Sequence, residues 1–344
     1  MVKNLFKNPL FVIGFSFIAI VMAASAIHWI FFDAQVPTTN LLYKDGKLVS
    51  ASPHPPSLLP PFGSDRFGSD YLYLLLKGGI VTIGFALAAA ALRMVVSTVV
   101  GLCYAFLFPR VSRLLTGISE AFQYLPTALI AYFILRPVLM QDEFTRTFSA
   151  GFWERIIFEL LIFVLIALPM IATLIGNETS LILKKEFVTG SKVIGAGRWH
   201  LLKTHVLPHL APKLWVNFGQ QVVQVLILLV HLGLLNLFLG GTIPHHLMSN
   251  GFQSLTGDWA GLIGYSYKYF DVFPWLPLVP LGAFALTILA LNYMIEGMKQ
   301  VLIKDTKVRT YRKNRFAQVT NQSPDVEIDQ FEPISQKERT QIYG

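Results

Sequence analysis

Five histidines have the side-chain type and the spacing of residues that could bind a metal ion: His205, His209, His231, His245 and His246. Imidazole nitrogens are suitable ligands for nickel and other first-row metals, and two residues spaced i, i+4 lie on one face of a helix. Pro208 interrupts such a helix between His205 and His209. We therefore interpret this pair as packing residues, and we expect no bound metal in this chain.

Two acidic residues recur with the same neighbours before a long apolar run. Phe62-Gly63-Ser64-Asp65 is followed almost at once by Phe67-Gly68-Ser69-Asp70. Paired carboxylates could serve an enzyme or bind calcium, although two acids provide few of the ligands that calcium requires. Alternatively, the glycines permit positive φ and the Asp side chains accept backbone hydrogen bonds, which predicts two consecutive turns. Asp70 would then cap a helix that starts at Tyr71.

Arg93 is a charged residue near the middle of an apolar run. A charge exposed to lipid at that depth costs about 3 kcal/mol on insertion scales, so the guanidinium must face protein or water. One interpretation is a residue that lines or gates a pore. The other is a structural pair with a neighbouring carbonyl or carboxylate. Pro126 and His231, in two other apolar runs, are further candidates for a pore or its gate.

The composition indicates a membrane protein. Of the 344 residues, 53% are hydrophobic and only 14% are charged, and the charges lie between long apolar runs and near the C-terminus. The net charge of +8 does not follow one soluble face, so we expect no nucleic-acid partner. The single cysteine, Cys103, excludes an intrachain disulfide.

Apolar runs of about twenty residues predict six membrane-spanning helices and an all-α polytopic fold. The first run could also be a signal peptide, but it continues without charge into an aromatic cluster, and we expect a retained helix. The predicted spans are residues 9–32, 79–108, 114–140, 156–176, 214–240 and 275–298.

The distribution of Lys and Arg predicts the orientation. Six spans place both termini on one side, and that side carries nineteen Lys and Arg residues against seven on the other. By the positive-inside rule, both termini are cytoplasmic in a cell-membrane protein. The segments are then a cytoplasmic N-terminus (1–8), a first helix (9–32), an ordered extracytoplasmic loop (33–78), a core (79–303) with a cytoplasmic loop (177–213), and a largely disordered polar tail (304–344).

The cytoplasmic segment from Lys184 to Pro208 is basic, amphipathic and too polar to span a membrane. Gly195 and Gly197 interrupt what would otherwise be one helix. The pattern predicts a helix, a sharp turn and a second helix, which Pro208 separates from the fifth span. Such an element suits docking into the groove of a partner protein.

This segment resembles the cytoplasmic signature of binding-protein-dependent ABC permeases, which is Glu-Ala-Ala, three residues, Gly, nine residues and Ile-x-Leu-Pro. Thr189-Gly190-Ser191 stand at the first triplet, Gly195 at the Gly, and His205-Val206-Leu207-Pro208 at the last four positions. Gly190 and Ser191 keep the small size of the two Ala, whereas Thr189 lacks the acid. The resemblance implies that the following residues couple to an ATPase: Glu186, Thr189, Gly190, Ser191, Gly195, Ala196, Leu207 and Pro208.

Three further stretches resemble the peptide/nickel branch of that family, and the resemblance covers roughly residues 8–303. The repeat that contains Asp65, Gly68 and Asp70 resembles its Gly-Thr-Asp-x-x-Gly-Arg-Asp element. Pro126 follows an aromatic residue as in its Phe-Pro element, and Pro274-Trp275-Leu276 opens the final span.

The resemblance implies a six-helix permease subunit of a type I ABC importer, which forms half of a pore for peptides. Its partners would be a second homologous permease, two ATPase subunits and an extracytoplasmic substrate-binding protein. The sequence contains no Gly-x-x-x-x-Gly-Lys-Ser/Thr string, so ATP and Mg²⁺ would be bound by the ATPases and no cofactor by this chain. A nickel or other small-solute importer of the same fold stays open, as does a membrane enzyme that uses Asp65 and Asp70 on a lipid-linked substrate.

Overall fold

The computed structural model describes residues 2–107, 112–245 and 251–321. Its described part is mostly helical, with two small antiparallel hairpins. The helices are α1 (Val2–Leu5), α2 (Pro9–Phe31), α3 (Tyr71–Leu107), α4 (Ser112–Gln123), α5 (Thr127–Leu139), α6 (Phe152–Leu183), α7 (Glu186–Val193), α8 (Arg198–Leu201), α9 (Leu207–Leu234), α10 (Trp259–Ser266) and α11 (Trp275–Asn321). The strands are β1 (Leu41–Lys44), β2 (Lys47–Ala51), β3 (Thr242–His245) and β4 (Gly251–Ser254).

Within the described residues, five helical stretches are long and apolar enough to cross a membrane, and a sixth span arises if a bent pair is counted. The five stretches lie in α2, α3, α6, α9 with the short helical segments before it, and α11. The bent pair is α4 and α5, whose axes differ by 85°. The all-α polytopic fold is therefore confirmed, and the third predicted span, at 114–140, is a bent pair of helices rather than one continuous helix.

A proline explains the break in the third span. Pro126 adopts φ −65° and ψ 103° at the start of α5, which is extended rather than helical backbone. Proline also disfavours helical conformation in the residue before it and cannot donate a backbone hydrogen bond. Since α4 and α5 contain 12 and 13 residues, neither is long enough to cross a bilayer as a straight helix.

Helix α11 extends well beyond the predicted last span, to Asn321. The prediction of disorder from residue 304 is therefore wrong as far as Asn321. The reason lies in composition, since residues 304–321 contain neither Gly nor Pro and are rich in Lys and Arg, which favour helices. The rest of the predicted tail, residues 322–344, lies outside the described residues.

The segment between α2 and α3 is an ordered loop that contains the first hairpin. Strands β1 and β2 pair antiparallel across Asp45 and Gly46, which have φ of 53° and 74°. Two central residues with positive φ define the tight turn that suits a hairpin. His54, in the same loop, is fully buried. Its Nδ1 forms a hydrogen bond of 3.0 Å with Ser50 Oγ, and its Nε2 forms one of 3.0 Å with the Thr39 carbonyl oxygen.

The core of the bundle is formed by α3, α6 and α9, which pack against each other. Glycines bring α3 and α6 close together, because a Cβ on Gly101 would lie 2.8 Å from the Ala172 carbonyl oxygen. Beside this contact, the Tyr104 hydroxyl donates a hydrogen bond of 2.8 Å to the Thr173 carbonyl oxygen. These three helices therefore position the loop that joins α6 to α9.

Candidate coupling loop and translocation surface

The loop between α6 and α9 has the predicted arrangement of a helix, a sharp turn and a second helix. Helix α7 ends at Val193, and Gly195 then adopts φ +94°, a conformation that favours glycine. Gly197 has φ −68° and precedes the first residue of α8. We refer to residues 184–206 below as the coupling loop.

Pro208 does not separate the coupling loop from the fifth span, and that prediction is wrong. Residues 202–206 form a π-helical segment that joins α8 directly to α9, and Pro208 lies in the first turn of α9. The Leu207 amide donates to the Leu202 carbonyl, five residues back. A first-turn position tolerates proline, since an amide there has no partner within its own helix. The chain therefore continues from loop to span without a hinge.

Buried apolar side chains attach the coupling loop to the spanning helices. Val188 from α7, Leu201 from α8 and Val206 are each at most 3% exposed. They share one apolar cluster with Met94 of α3 and Ile175 of α6. Burying three such side chains contributes roughly 1.5–3 kcal/mol each. A displacement of the loop would therefore be transmitted to α3 and α6.

His205 and His209 take part in packing within the coupling loop and the start of α9. His205 Nε2 lies 3.0 Å from Ser191 Oγ, and the ring of His209 stacks on Phe187 with centroids 5.1 Å apart. No group of three or more His, Cys, Asp or Glu side chains that could hold a metal occurs among the described residues. His246 and the side chain of His245 lie outside them.

The opposite side of the coupling loop is an exposed apolar tip. Val193, Ile194 and Trp199 are 84%, 89% and 74% exposed. Large apolar side chains clustered on a soluble surface mark a contact site for another protein. Gly195 has no atom within 4 Å of the position that a Cβ would occupy, so a partner can approach its backbone closely.

The other predicted coupling residues lie in the same stretch of the chain, from α7 to the start of α9. Gly190 faces open space, and Glu186 is exposed in the first turn of α7. Thr189, which stands where the resembling family has Glu, directs its Oγ1 to the Lys185 carbonyl at 3.3 Å. Ala196 is half-buried, and Leu207 and Pro208 are exposed on α9. The structure thus places the predicted residues in one contiguous segment of the chain.

A stripe of four exposed residues, three of them polar, follows α9 and identifies a second surface. Gln220, Gln224, Ile227 and His231 are all exposed and recur at spacings of four and three residues. Polar side chains in a membrane-spanning helix face water or other protein rather than lipid. Of these residues only His231 was predicted from the sequence, although the spacing of the two glutamines in an apolar run carries the same signal. We call these four residues the α9 stripe.

Arg93 does not share this exposed surface, because it is only 3% exposed. Its Nε donates to the Phe163 carbonyl at 2.8 Å, and its Nη1 lies 3.4 Å from Gln221 Oε1. The geometry favours the structural pairing over a gating role. Pro126 is exposed at the bend between α4 and α5.

The outer acidic residues stabilise turns. Asp65 Oδ1 accepts hydrogen bonds from the amides of Phe67 and Ser69, at 2.9 and 2.7 Å. Asp70 Oδ1 accepts from the Leu72 amide at 2.8 Å, which confirms the predicted cap of α3. Gly68 has φ +76°, and a Cβ there would lie 2.7 Å from the Thr39 carbonyl carbon. Burial raises the pKa of Asp65 above its ordinary value, against the opposing effect of these hydrogen bonds.

Fold and site together define a multi-pass helical membrane protein with a polar helix-turn-helix loop packed on its spanning bundle. The family model for the binding-protein-dependent transport system inner membrane component matches residues 94–308, and this chain belongs to that family. It is therefore a transport permease. The alternative of a membrane enzyme is not supported.

Curated relatives are similar over about seven tenths of the chain. A Brucella abortus relative, which carries the provisional name of peptide permease protein, is 27% identical over 240 residues, covering 69% of this chain and 70% of the relative. The probable D,D-dipeptide transport system permease protein of Escherichia coli (strain K12) is 21% identical over 248 residues, covering 72% and 74% of the two chains.

Proposed function

We propose that this chain is the permease subunit of an ATP-driven peptide importer and forms half of its translocation path. The names of the relatives, which concern peptides and dipeptides, support the substrate class. His205 and His209 pack against Ser191 and Phe187, which supports a structural role for this pair rather than a role in nickel import. The excess of Lys and Arg on the side of the coupling loop supports a cytoplasmic position for that loop and for both termini.

The observation that carries this proposal is the two-sided construction of the coupling loop. One side is buried against α3 and α6, and the other presents Val193, Ile194 and Trp199 to solvent. A loop that served only to connect two helices would have no reason to expose these three side chains. Two cytoplasmic ATPases, one docked on this loop, would bind the ATP and Mg²⁺.

Coupling follows from the packing of the loop. Closure of the ATPases on ATP would pull on the exposed tip, and the buried contacts of Val188 and Leu201 would transmit the movement to α3 and α6. The π-helical segment leads directly into α9, so the α9 stripe would move with the loop. A second permease opposite this stripe would complete the path, and an external binding protein would deliver the peptide.

Co-purification tests the docking role. The chain would be tagged, extracted from native membranes in mild detergent, and its partners identified by mass spectrometry. We expect a P-loop ATPase to co-purify with the wild type, and the amount recovered with Ile194→Asp to be at least tenfold lower. The reason is that a carboxylate cannot enter an apolar contact without losing its hydration.

Val272→Asp is the matched control, since Val272 is 66% exposed in the segment before α11, away from the coupling loop. It should retain the ATPase at the wild-type level. Equal retention in both variants, or recovery of the wild-type chain without any ATPase, would contradict the proposal.

A further inference from the structure

A groove of about 700 Å³ lies between α2, α3 and α11, on a face that neither the coupling loop nor the α9 stripe occupies. Its walls are almost entirely apolar. Ligand pockets in proteins have volumes of roughly 300–1,000 Å³ and are lined mainly by apolar side chains, so the groove has the dimensions of a binding site. Residues that line it include Ile20, Ala24, Leu72, Leu75, Leu278 and Gly282.

The path of α2 explains why the groove exists. At one end, α2 packs tightly on α11, since a Cβ on Gly14 would lie 2.8 Å from Met294 Cγ and one on Gly297 would lie 2.7 Å from the Phe11 amide nitrogen. Towards its other end, α2 is attached to α3 instead. Ser25 Oγ accepts from the Ile80 amide at 2.8 Å, and Trp29 Nε1 donates to the Lys77 carbonyl at 2.9 Å.

Because α2 leans from α11 towards α3, a wedge opens between α2 and α11. The rims of this wedge face outward, as Ile20 is 67% and Leu286 54% exposed. Most lining residues belong to α2, α3 and α11, which are long and apolar enough to cross a membrane, and Phe62 and Trp259 complete the lining. The groove therefore opens sideways at the depth of the hydrocarbon core of the bilayer.

Polar groups in the groove are few. The hydroxyl of Thr287 already donates to the Ala283 carbonyl at 2.8 Å. The indole N–H of Trp275, at the start of α11, is buried and has no hydrogen-bond partner among the described residues. Buried donors are normally paired, and tryptophan at the end of a spanning helix lies near the lipid headgroups. A rotation of this ring towards the groove would offer its N–H to an acceptor there.

We propose that this groove binds one acyl chain of a membrane phospholipid, with the ester carbonyl of that lipid positioned near Trp275. An acyl chain needs no hydrogen bonds, and the deep walls offer none. A peptide is a poor alternative, because its backbone amides would lose their hydrogen bonds in such surroundings. The bound lipid would fill the wedge and hold α2 against the rest of the bundle.

Photocrosslinking tests this site. The full chain, purified in its complex and reconstituted in bilayers, would be irradiated with phosphatidylcholine that carries a diazirine in one acyl chain, and the modified residues mapped by mass spectrometry. We expect modification to be concentrated on groove residues such as Leu75 and Gly282.

Gly282→Phe should reduce this crosslinking at least tenfold, because its side chain fills the groove and a Cβ at Gly282 meets no atom within 4 Å. Gly84→Phe is the matched control. Gly84 also lies in a spanning helix with open space at its Cβ position, but it does not line the groove. Ala24→Phe is a second filling variant, on α2 rather than α11.

Loss of crosslinking in both filling variants, with retention in Gly84→Phe, would support the site. Crosslinking spread evenly over the exposed faces of α2 and α11, or unchanged in both filling variants, would show ordinary contact with bulk lipid and overturn it. Crosslinks from the groove to another polypeptide in place of lipid would also overturn it.

Discussion

The Nε of Arg93 on α3 donates a hydrogen bond of 2.8 Å to the carbonyl oxygen of Phe163 on α6. This bond joins two helices of the core at a site that is only 3% exposed, and the guanidinium also lies above the Phe163 ring, 5.7 Å from its centroid. A charge that would be costly in lipid is thus accommodated inside the protein. It links the helices rather than facing the path of a substrate.

We expect Arg93→Gln to lower the stability of the permease. The shorter side chain cannot reach both Phe163 and Gln221, and the loss of a buried hydrogen-bond network costs about 2 kcal/mol or more. The midpoint of thermal unfolding in detergent, without substrate or nucleotide, measures this effect.

Arg136→Gln is the control, because Arg136 is exposed on α5 and its substitution should change stability by less than about 0.5 kcal/mol. If Arg93→Gln unfolded at the wild-type temperature but failed to transport, a gating role would be correct instead.

We expect Gly195→Ala to weaken the coupling of transport to ATP hydrolysis. At φ +94° an alanine is strained by about 1–2 kcal/mol, so the turn beside Ile194 would change conformation. Peptide-stimulated ATP hydrolysis by the reconstituted complex should therefore fall several-fold.

Gly197→Ala provides the comparison, since Gly197 has φ −68° and open space at its Cβ position. This variant should stay close to wild type. Equal losses in the two variants would mean that added bulk, and not backbone conformation, disturbs docking.

The α9 stripe should be accessible to water. In a Cys103→Ser background, which removes the exposed native thiol, we expect Gln224→Cys and His231→Cys to react with a charged methanethiosulfonate reagent. The reactive form of the thiol is the thiolate, which forms readily only where water reaches it.

Ile20→Cys is the control for lipid exposure, because Ile20 is 67% exposed on an almost entirely apolar helix. It should react at least tenfold more slowly than Gln224→Cys. Similar rates at the two positions would remove the α9 stripe from the translocation path.

Asp65 should give stability a specific pH dependence. Because burial raises its pKa above the ordinary 3.8, the folded protein binds this proton more tightly than the unfolded chain does. The contribution of Asp65 to the free energy of unfolding is therefore largest below pH 3.8, and it is lost as the pH rises through the raised pKa. Asp65→Asn keeps an oxygen for the amides of Phe67 and Ser69 and should lack this dependence.

The test compares the unfolding temperatures of wild type and Asp65→Asn from pH 7.5 down to pH 4. The wild type should become more stable relative to the variant as the pH falls. Asp142→Asn should show the opposite sign. Hydrogen bonds from Thr145 lower the pKa of Asp142, so its contribution is lost only as the pH falls below 3.8, and the opposite trend would be measured by extending the series to pH 2.5. A difference for Asp65→Asn that does not vary with pH would contradict the prediction.

Much of the architecture could be predicted from local sequence patterns. Long uncharged runs are sufficient to predict helices in a membrane, because every backbone amide must be paired within its own segment. Gly195 and Gly197 predicted the turn of the coupling loop, and Asp70 predicted the start of α3, since both effects depend on a few neighbouring residues. The β1–β2 hairpin also had a local signal in Asp45-Gly46, although it was not predicted.

Other features depend on residues that are far apart in the sequence. Whether Arg93 gates a pore or joins two helices depended on the position of the Phe163 carbonyl, 70 residues later. The spacing of Gln220 and Gln224 is present in the sequence, but the exposure of the α9 stripe depended on the packing that buries the other faces of that helix. The groove beside α2 exists because Gly14 and Gly297 bring α2 and α11 together at one end, while Ser25 attaches α2 to α3 at the other. Sequence periodicity specifies which segments are helices, whereas their crossing points depend on side-chain contacts between distant segments.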